Sequence, residues 1–158
     1  MSKRIILVGP AAAGKDYLKK KFAERGFELD VSYTTRPPRK GEVDGEDYHF
    51  ISEREFFDKH YDFYEQAQHG PYWYATGLYE WDNCDIFIME TNGISEIIPE
   101  DRKSCFIIYL NPARIKRQER MMLERGWDAE QIAHRSNMDY EKFKDFSDFD
   151  IQISDPNF

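Results

Sequence analysis

Arg4-Ile5-Ile6-Leu7-Val8-Gly9-Pro10-Ala11-Ala12-Ala13-Gly14-Lys15-Asp16-Tyr17-Leu18 is the stretch on which the reading of this chain turns. Ile5 to Val8 is a short, unbroken, largely β-branched apolar run, the composition of a strand buried on both faces of a parallel sheet. From Asp16 to Arg25 the chain carries Leu18 and Phe22 one turn apart and leaves at Gly26, which predicts a helix with a glycine exit. Between strand and helix, Gly9 to Lys15 fits G-x-x-x-x-G-K, the phosphate-binding loop or P-loop. Glycines there let successive backbone N–H groups converge on phosphate oxygens, and the positive end of the helix dipole lies behind them. Lys15 adds a mobile point charge for β- and γ-phosphates. Gly9, Ala12, Ala13, Gly14, Lys15 and Asp16 are therefore the expected ATP site. Asp16 stands where a Ser or Thr hydroxyl normally ligates Mg2+. A carboxylate also takes a hard cation, directly or through water, so Asp16 is the candidate metal ligand.

Working outward, residues 27–31, 85–89 and 105–110 are further apolar runs that read as core strands, and residues 150–154 as the last one. A helix is predicted to open at Asn111-Pro112, a capping residue followed by proline at the first helical position, and to run to about Arg125. Another opens at Asp128, with Gln131 completing a capping box and Ile132, Tyr140 and Phe143 forming its apolar face. Strands alternating with helices argue for an α/β fold with a mainly parallel sheet. Residues 36–81 break that rhythm. They are rich in tyrosine and glycine and hold their own capped helix at Ser52 to Glu55, as an inserted lobe would.

Length and charge narrow the classes. The 158 residues suffice for one core and not for two ordinary domains. A net charge of −8 opposes nonspecific adhesion to nucleic acid, and no apolar run reaches the roughly 20 residues of a membrane span. The expectation is a cytoplasmic protein with no nucleic-acid or membrane partner. Cys84 and Cys105 each open an apolar segment and read as small core residues. The four histidines show no metal spacing and are assigned no chemistry.

Ser32-Tyr33-Thr34-Thr35-Arg36-Pro37-Pro38-Arg39-Lys40-Gly41-Glu42-Val43-Asp44-Gly45-Glu46-Asp47-Tyr48-His49-Phe50 holds the second motif. Two arginines three residues apart on a proline-stiffened loop, with a tyrosine hydroxyl further on, make a fork-shaped receptor for a phosphomonoester. From these residues alone the segment is an anion site. The run resembles the GMP-binding signature of the guanylate kinase family, and the resemblance extends over essentially the whole chain. It implies that Arg36, Arg39 and Tyr48, joined by Tyr74, hold the acceptor's phosphate, and that Ser32, Glu65 and Thr76 meet the base. A carboxylate can accept from both N1–H and the exocyclic amine of guanine, while hydroxyls serve O6 or N7.

In Glu90-Thr91-Asn92-Gly93 the family pattern has two alternating acidic residues. Here the first position is Ile88, which leaves Glu90 as the partner for the guanine amine or for metal-bound water. Residues 120–135 resemble the family's lid, with Arg125 and Arg135 matching its arginines and Arg120 matching with a one-residue shift. The implied catalytic set is Lys15, Arg39, Arg125 and Arg135. The implied fold is a three-layer P-loop NTPase-type sandwich: a core of residues 1–31 and 83–158, a GMP-binding lobe of about 32–82 and a helical lid of about 120–135. Family members usually continue through a C-terminal helix, whereas this sequence stops at Asp155-Pro156-Asn157-Phe158, where Phe158 is expected to plug part of the sheet face.

The activity implied is Mg2+-dependent transfer from ATP to GMP or dGMP by a monomer or weak homodimer. Two alternatives remain open at this level. One is a ribose bisphosphate phosphokinase, which shares the Gly-Lys-Asp ending, and the other is a guanylate-kinase-like module that has lost catalysis and binds a phosphopeptide through Arg36, Arg39 and Tyr48.

Overall fold

In the computed structural model, which describes residues 3–155, the apolar run at the N-terminus forms β1 (Arg4–Val8) and passes through the glycine loop into α1 (Lys15–Ala23). There follow β2 (Tyr33–Thr34), β3 (His49–Phe50), α2 (Glu53–Asp58), a 3-10 turn (His60–Asp62), β4 (Phe63–His69), β5 (Tyr72–Gly77) and α3 (Leu78–Asn83). The remainder is β6 (Ile86–Ile88), α4 (Thr91–Glu96), α5 (Pro99–Arg102), β7 (Cys105–Leu110), α6 (Arg114–Arg125), α7 (Ala129–Phe143) and β8 (Ile151–Ile153).

The core sheet has the order β6-β1-β7-β8, with every pairing parallel. Period-two alternation sorts its side chains between two layers. Leu7, Ile86, Ile108 and Leu110 face Leu18 and Phe22 of α1. Ile6, Val8, Phe87, Ile107 and Tyr109 face the other way, onto Ile94 of α4 and Phe143 of α7. Ile6, Leu7, Val8, Ile86, Phe87 and Ile107 are 0% exposed. Full burial of each such side chain contributes about 1.5–3 kcal/mol, so the central strands anchor the loop that leaves β1. That exit needs Gly9, because a Cβ there would collide with the carbonyl oxygen of Leu110.

The second sheet, β3-β2-β5-β4, is mixed: β2 pairs antiparallel with β5 and parallel with β3. Its β4–β5 hairpin brings Glu65 opposite Thr76. Glu65 rests against Gly93 of α4, where a Cβ would run into the Glu65 carboxylate. The capping boxes at Ser52/Glu55 and Asp128/Gln131 both form.

Three sequence expectations are corrected. Residues 27–31 form no strand; Leu29 makes a single bridge to Ile86, and the chain leaves the sheet after the Asp30 N–H bonds to the Ile86 carbonyl. The helix expected at Asn111-Pro112 begins at Arg114 with Ala113 as its cap, because the Asn111 N–H is spent on the Ile153 carbonyl and prolongs the β7–β8 ladder. Tyr140 is off the apolar face of α7 and 62% exposed; the buried stripe is Ile132, Ser136, Asp139 and Phe143. Cys84 and Cys105 are free thiols, Cys105 buried and Cys84 half-buried. The expectation for Phe158 lies outside the described residues. Among those described, no helix is long and apolar enough to cross a membrane.

Candidate active site

The loop between β1 and α1 holds two residues in left-handed backbone, Ala12 (φ 59°) and Gly14 (φ 101°), which turn it back on itself before the first helical residue. Glycine accepts such a conformation freely, whereas Ala12 is strained in it. The Lys15 amine donates to the carbonyls of Gly9 and, at 3.4 Å, Pro10. Burial lowers its pKa against an opposing pull from Glu90. Asp16 is exposed in the first turn of α1.

A cleft of about 380 Å³ runs from this loop to the second sheet. Ala12, Ala13, Gly14, Lys15 and Asp16 line one end, and Arg36, Arg39, Tyr48 and Tyr74 the other. Arg125 and Arg135, from α6 and α7, line it as well. Burial, and then the neighbouring Arg39 and Arg135, bring the Arg125 pKa down to about 10. Cations crowded to that degree make a receptor for anions. Arg125 also lies over the ring of Trp127 at 5.2 Å. Arg120 lines the same cleft and donates to the Ala12 carbonyl at 3.0 Å.

At the acceptor end Arg36 is 8% exposed and already forked onto Glu42, with both N···O distances 2.9 Å. Burial works against its charge, but the hydrogen bonds to Glu42, together with the electrostatic pull of Tyr74, Glu42 and Tyr48, hold its pKa above the ordinary value. Glu42 also accepts the Arg39 N–H at 2.6 Å, so one carboxylate shapes the turn bearing both arginines. Tyr48 and Tyr74 meet edge to face with ring centroids 6.0 Å apart. Burial raises the Tyr48 pKa, so its hydroxyl keeps its proton and stays a donor.

Behind these groups lies a narrow slot of about 20 Å³ walled by Ser32, Glu65, Ile88 and Glu90 among others. Two of its polar side chains pair with buried neighbours outside it: Glu65 Oε1 accepts from Thr76 Oγ1 at 2.8 Å, and Ser32 Oγ donates to Oδ2 of the buried Asp30, whose Oδ1 has no hydrogen-bond partner. Burial pushes the Glu65 pKa up to about 7 and the Asp30 pKa up to about 6.

Four residues the sequence reading left without a role also meet here. Glu42 is one. Lys142 of α7 donates to Glu90 Oε2 at 2.8 Å and sits against Nδ1 of His69, which is itself 3.7 Å from that carboxylate. Burial would raise the Glu90 pKa, but Lys15 and Lys142 bring it down to about 2. Burial lowers the His69 pKa to about 4, so the ring is neutral at neutral pH, and its buried Nε2 has no hydrogen-bond partner. The fourth is Asp139, bonded to both the P-loop and Arg135. The structure puts it on the inward face of α7, where the sequence pattern favoured Tyr140.

Strand, glycine loop and helix facing a basic receptor across a cleft define a nucleotide-dependent phosphotransferase of the P-loop class. Comparison with known proteins narrows this. The family model for guanylate kinase matches residues 1–158. A guanylate kinase of Nostoc sp. is 34% identical over 170 residues, covering 99% of this chain and 83% of that protein. One from Wolinella succinogenes is 34% identical over 163 residues, covering 94% of this chain and 74% of the relative. The crystal structure of guanylate kinase from Anaplasma phagocytophilum shares the fold, with a TM-score of 0.72 at 20% identity over 98% of this chain and 77% of its own. The chain belongs to the guanylate kinase family.

Proposed function

We propose that this chain is an ATP:GMP phosphotransferase, a nucleoside monophosphate kinase that acts on GMP or dGMP with ATP and Mg2+. The observation that carries the reading is the single cleft joining the P-loop to Arg36, Arg39, Tyr48 and Tyr74, with the Glu65 slot behind the second receptor. Two anion receptors facing each other, one backed by a base-edge receptor, suit a triphosphate donor and a nucleotide acceptor meeting end to end. That is the geometry of in-line transfer.

On this reading the P-loop amides and Lys15 take the donor's phosphates, Lys15 exchanging the Gly9 and Pro10 carbonyls for phosphate oxygens. Arg36, Arg39, Tyr48 and Tyr74 fix the acceptor's phosphate. Arg39, Arg125 and Arg135 repel one another until anions lie between them, and are then placed to stabilise charge on the phosphoryl group as it moves. Lobe and lid exclude water, so transfer to the acceptor outruns hydrolysis. The chemistry needs no covalent enzyme intermediate, only position and electrostatics.

Guanine recognition follows from Glu65. Its carboxylate accepts from N1–H and the 2-amino group, with Thr76 and Ser32 beside it; adenine lacks that donor pair, and a buried Glu65 facing it would be left unsatisfied. In the free protein Glu65 is close to half protonated at neutral pH, and two base donors favour the ionised form.

The residues present fit Mg2+ held chiefly by the nucleotide. Among those described no group of three or more His, Cys, Asp or Glu is arranged for a metal, while the exposed Asp16 offers one hard oxygen ligand at the cleft. Asp16 would hold such an ion, which would offset the charge of the donor's phosphates.

The test is to incubate the protein with γ-labelled ATP and GMP and separate the products. Label recovered in GDP supports the reading, and label recovered only in inorganic phosphate refutes it.

A further inference from the structure

Helix α7 carries a charge where its own pattern calls for an apolar residue. Its inward stripe is Ile132, Ser136, Asp139 and Phe143, and Asp139 is 2% exposed. Both carboxylate oxygens are engaged. Oδ2 accepts the backbone N–H of Ala11, in the P-loop, at 2.9 Å. Oδ1 accepts Nε–H of Arg135, one turn earlier on the same helix, at 3.1 Å. Two further charges lie nearby: Lys15, whose amine feels the Asp139 carboxylate, and Arg117 of α6, whose NH1 lies 3.9 Å from Oδ2 and makes no hydrogen bond, while its Nε donates to the Pro112 carbonyl.

A carboxylate buried this deeply is unfavourable unless its charge and lone pairs are answered, and stability alone is served as well or better by an apolar side chain. What the carboxylate adds is geometry. With Nε held, the Arg135 guanidinium has one edge fixed and its two amino groups left for the cleft, which is the pre-set fork that binds phosphoryl oxygens best. The bond to Ala11 acts one residue before Ala12, whose left-handed backbone turns the loop (φ 59°). A strained turn persists only where its surroundings determine it, and here the Ala11 amide is held by Asp139 and the Ala12 carbonyl by Arg120.

We propose that Asp139 is a positioning residue for phosphoryl transfer: one carboxylate sets the donor loop and the lid arginine Arg135 in a common register. The inference rests on the phosphotransferase reading above. It assigns Asp139 a role that mere neutralisation of Arg117 would not require.

Calorimetric dissociation constants for ATP and for GMP, with kcat, separate these roles in the wild type, Asp139→Asn, Asp139→Glu, Arg135→Met and the double variant Asp139→Asn/Arg135→Met. Asp139→Asn is expected to weaken ATP about fivefold, to leave GMP affinity within about twofold and to lower kcat about thirtyfold. Made in the Arg135→Met background, the same change should cost less than about threefold in kcat, because its path through the guanidinium is already gone. Asp139→Glu keeps the buried charge but moves the oxygens, and should still lower kcat about tenfold, which keeps the test available if the Asn variant is insoluble. Wild-type kcat in Asp139→Glu, equal losses in both Arg135 backgrounds, or ATP and GMP affinities falling together would each overturn the proposal. A wild type that fails to convert GMP would instead remove the activity reading, and the ATP-affinity arm would still decide the role of Asp139.

Discussion

At the donor end of the cleft the proposed contacts are mostly backbone amides plus one amine, whereas at the acceptor end they are side chains that are already paired. Ala11, Ala12 and Ala13 suffice in the P-loop because shape, not side-chain chemistry, makes the site. The acceptor end is the reverse case: Arg36 is forked onto Glu42, Thr76 onto Glu65 and Ser32 onto Asp30. These internal partners answer most of the buried polar groups without substrate, leaving Asp30 Oδ1 unpartnered, and on the proposed reading an acceptor nucleotide displaces or rearranges them. The donor end should therefore be sensitive to charge and backbone form, and the acceptor end to individual side chains and to pH.

The largest effect that would break this contrast is at Lys15. Lys15→Ala should lower kcat by about a thousandfold or more while circular dichroism and the thermal midpoint stay near wild type, since its charge is used as the phosphoryl group moves. Near-wild-type turnover would remove the donor half of the comparison.

Next comes Glu65. Glu65→Gln keeps the shape and loses one acceptor, so the preference for GMP over AMP in kcat/KM should fall by about a hundredfold. The pH dependence sharpens the same point. With a folded-state pKa of about 7, Glu65 is protonated at lower pH and cannot accept both guanine donors. The KM for GMP should thus rise about tenfold between pH 7.5 and 6 in the wild type and much less in Glu65→Gln. Without nucleotide the sign for stability is opposite in sense. A carboxyl whose pKa is raised on folding stabilises the protein at low pH and loses that contribution as pH rises through about 7. Thermal midpoints of wild type minus Glu65→Gln should fall between pH 5 and 8.

A smaller effect is expected at Glu42. Glu42→Gln removes the charge that holds Arg36 and the Arg39 amide, and should raise the KM for GMP about threefold to tenfold with kcat changed less than about threefold. An unchanged KM would mean that the Arg36–Glu42 pair does not shape the acceptor site. The smallest effect on stability concerns backbone form. Ala12→Gly relieves a positive φ and should stabilise the protein by about 1 kcal/mol, read as a shift in the denaturation midpoint, while the loosened turn weakens ATP about twofold to threefold.

The same contrast explains what was legible in the sequence. Strands β1, β6 and β7 announce themselves as continuous apolar runs because both their faces are covered, and Gly9 to Lys15 carries its structure in its spacing. Around the second sheet the expectations came from family likeness rather than periodicity, since β2 and β3 are two residues each and pair across a loop that local pattern cannot foresee. Residues 27–31 look like a strand but the chain is already leaving for the lobe, with Asp30 buried at the turning point. His69 and Lys142 gave no local signal, because 73 positions separate them and only tertiary folding brings them to Glu90. Asp139 was missed because periodicity favoured its neighbour Tyr140 for the inward face, and only the structure shows which of the two is buried.

The central claim is that one cleft transfers phosphate from ATP to a guanine nucleotide. The most direct measurement is kcat/KM for GMP, dGMP, AMP, CMP and UMP side by side, each with saturating ATP and Mg2+ in an ADP-coupled assay. The account predicts GMP and dGMP to exceed every other acceptor by about a hundredfold or more, because only guanine offers Glu65 its two donors; equal rates with AMP would contradict it.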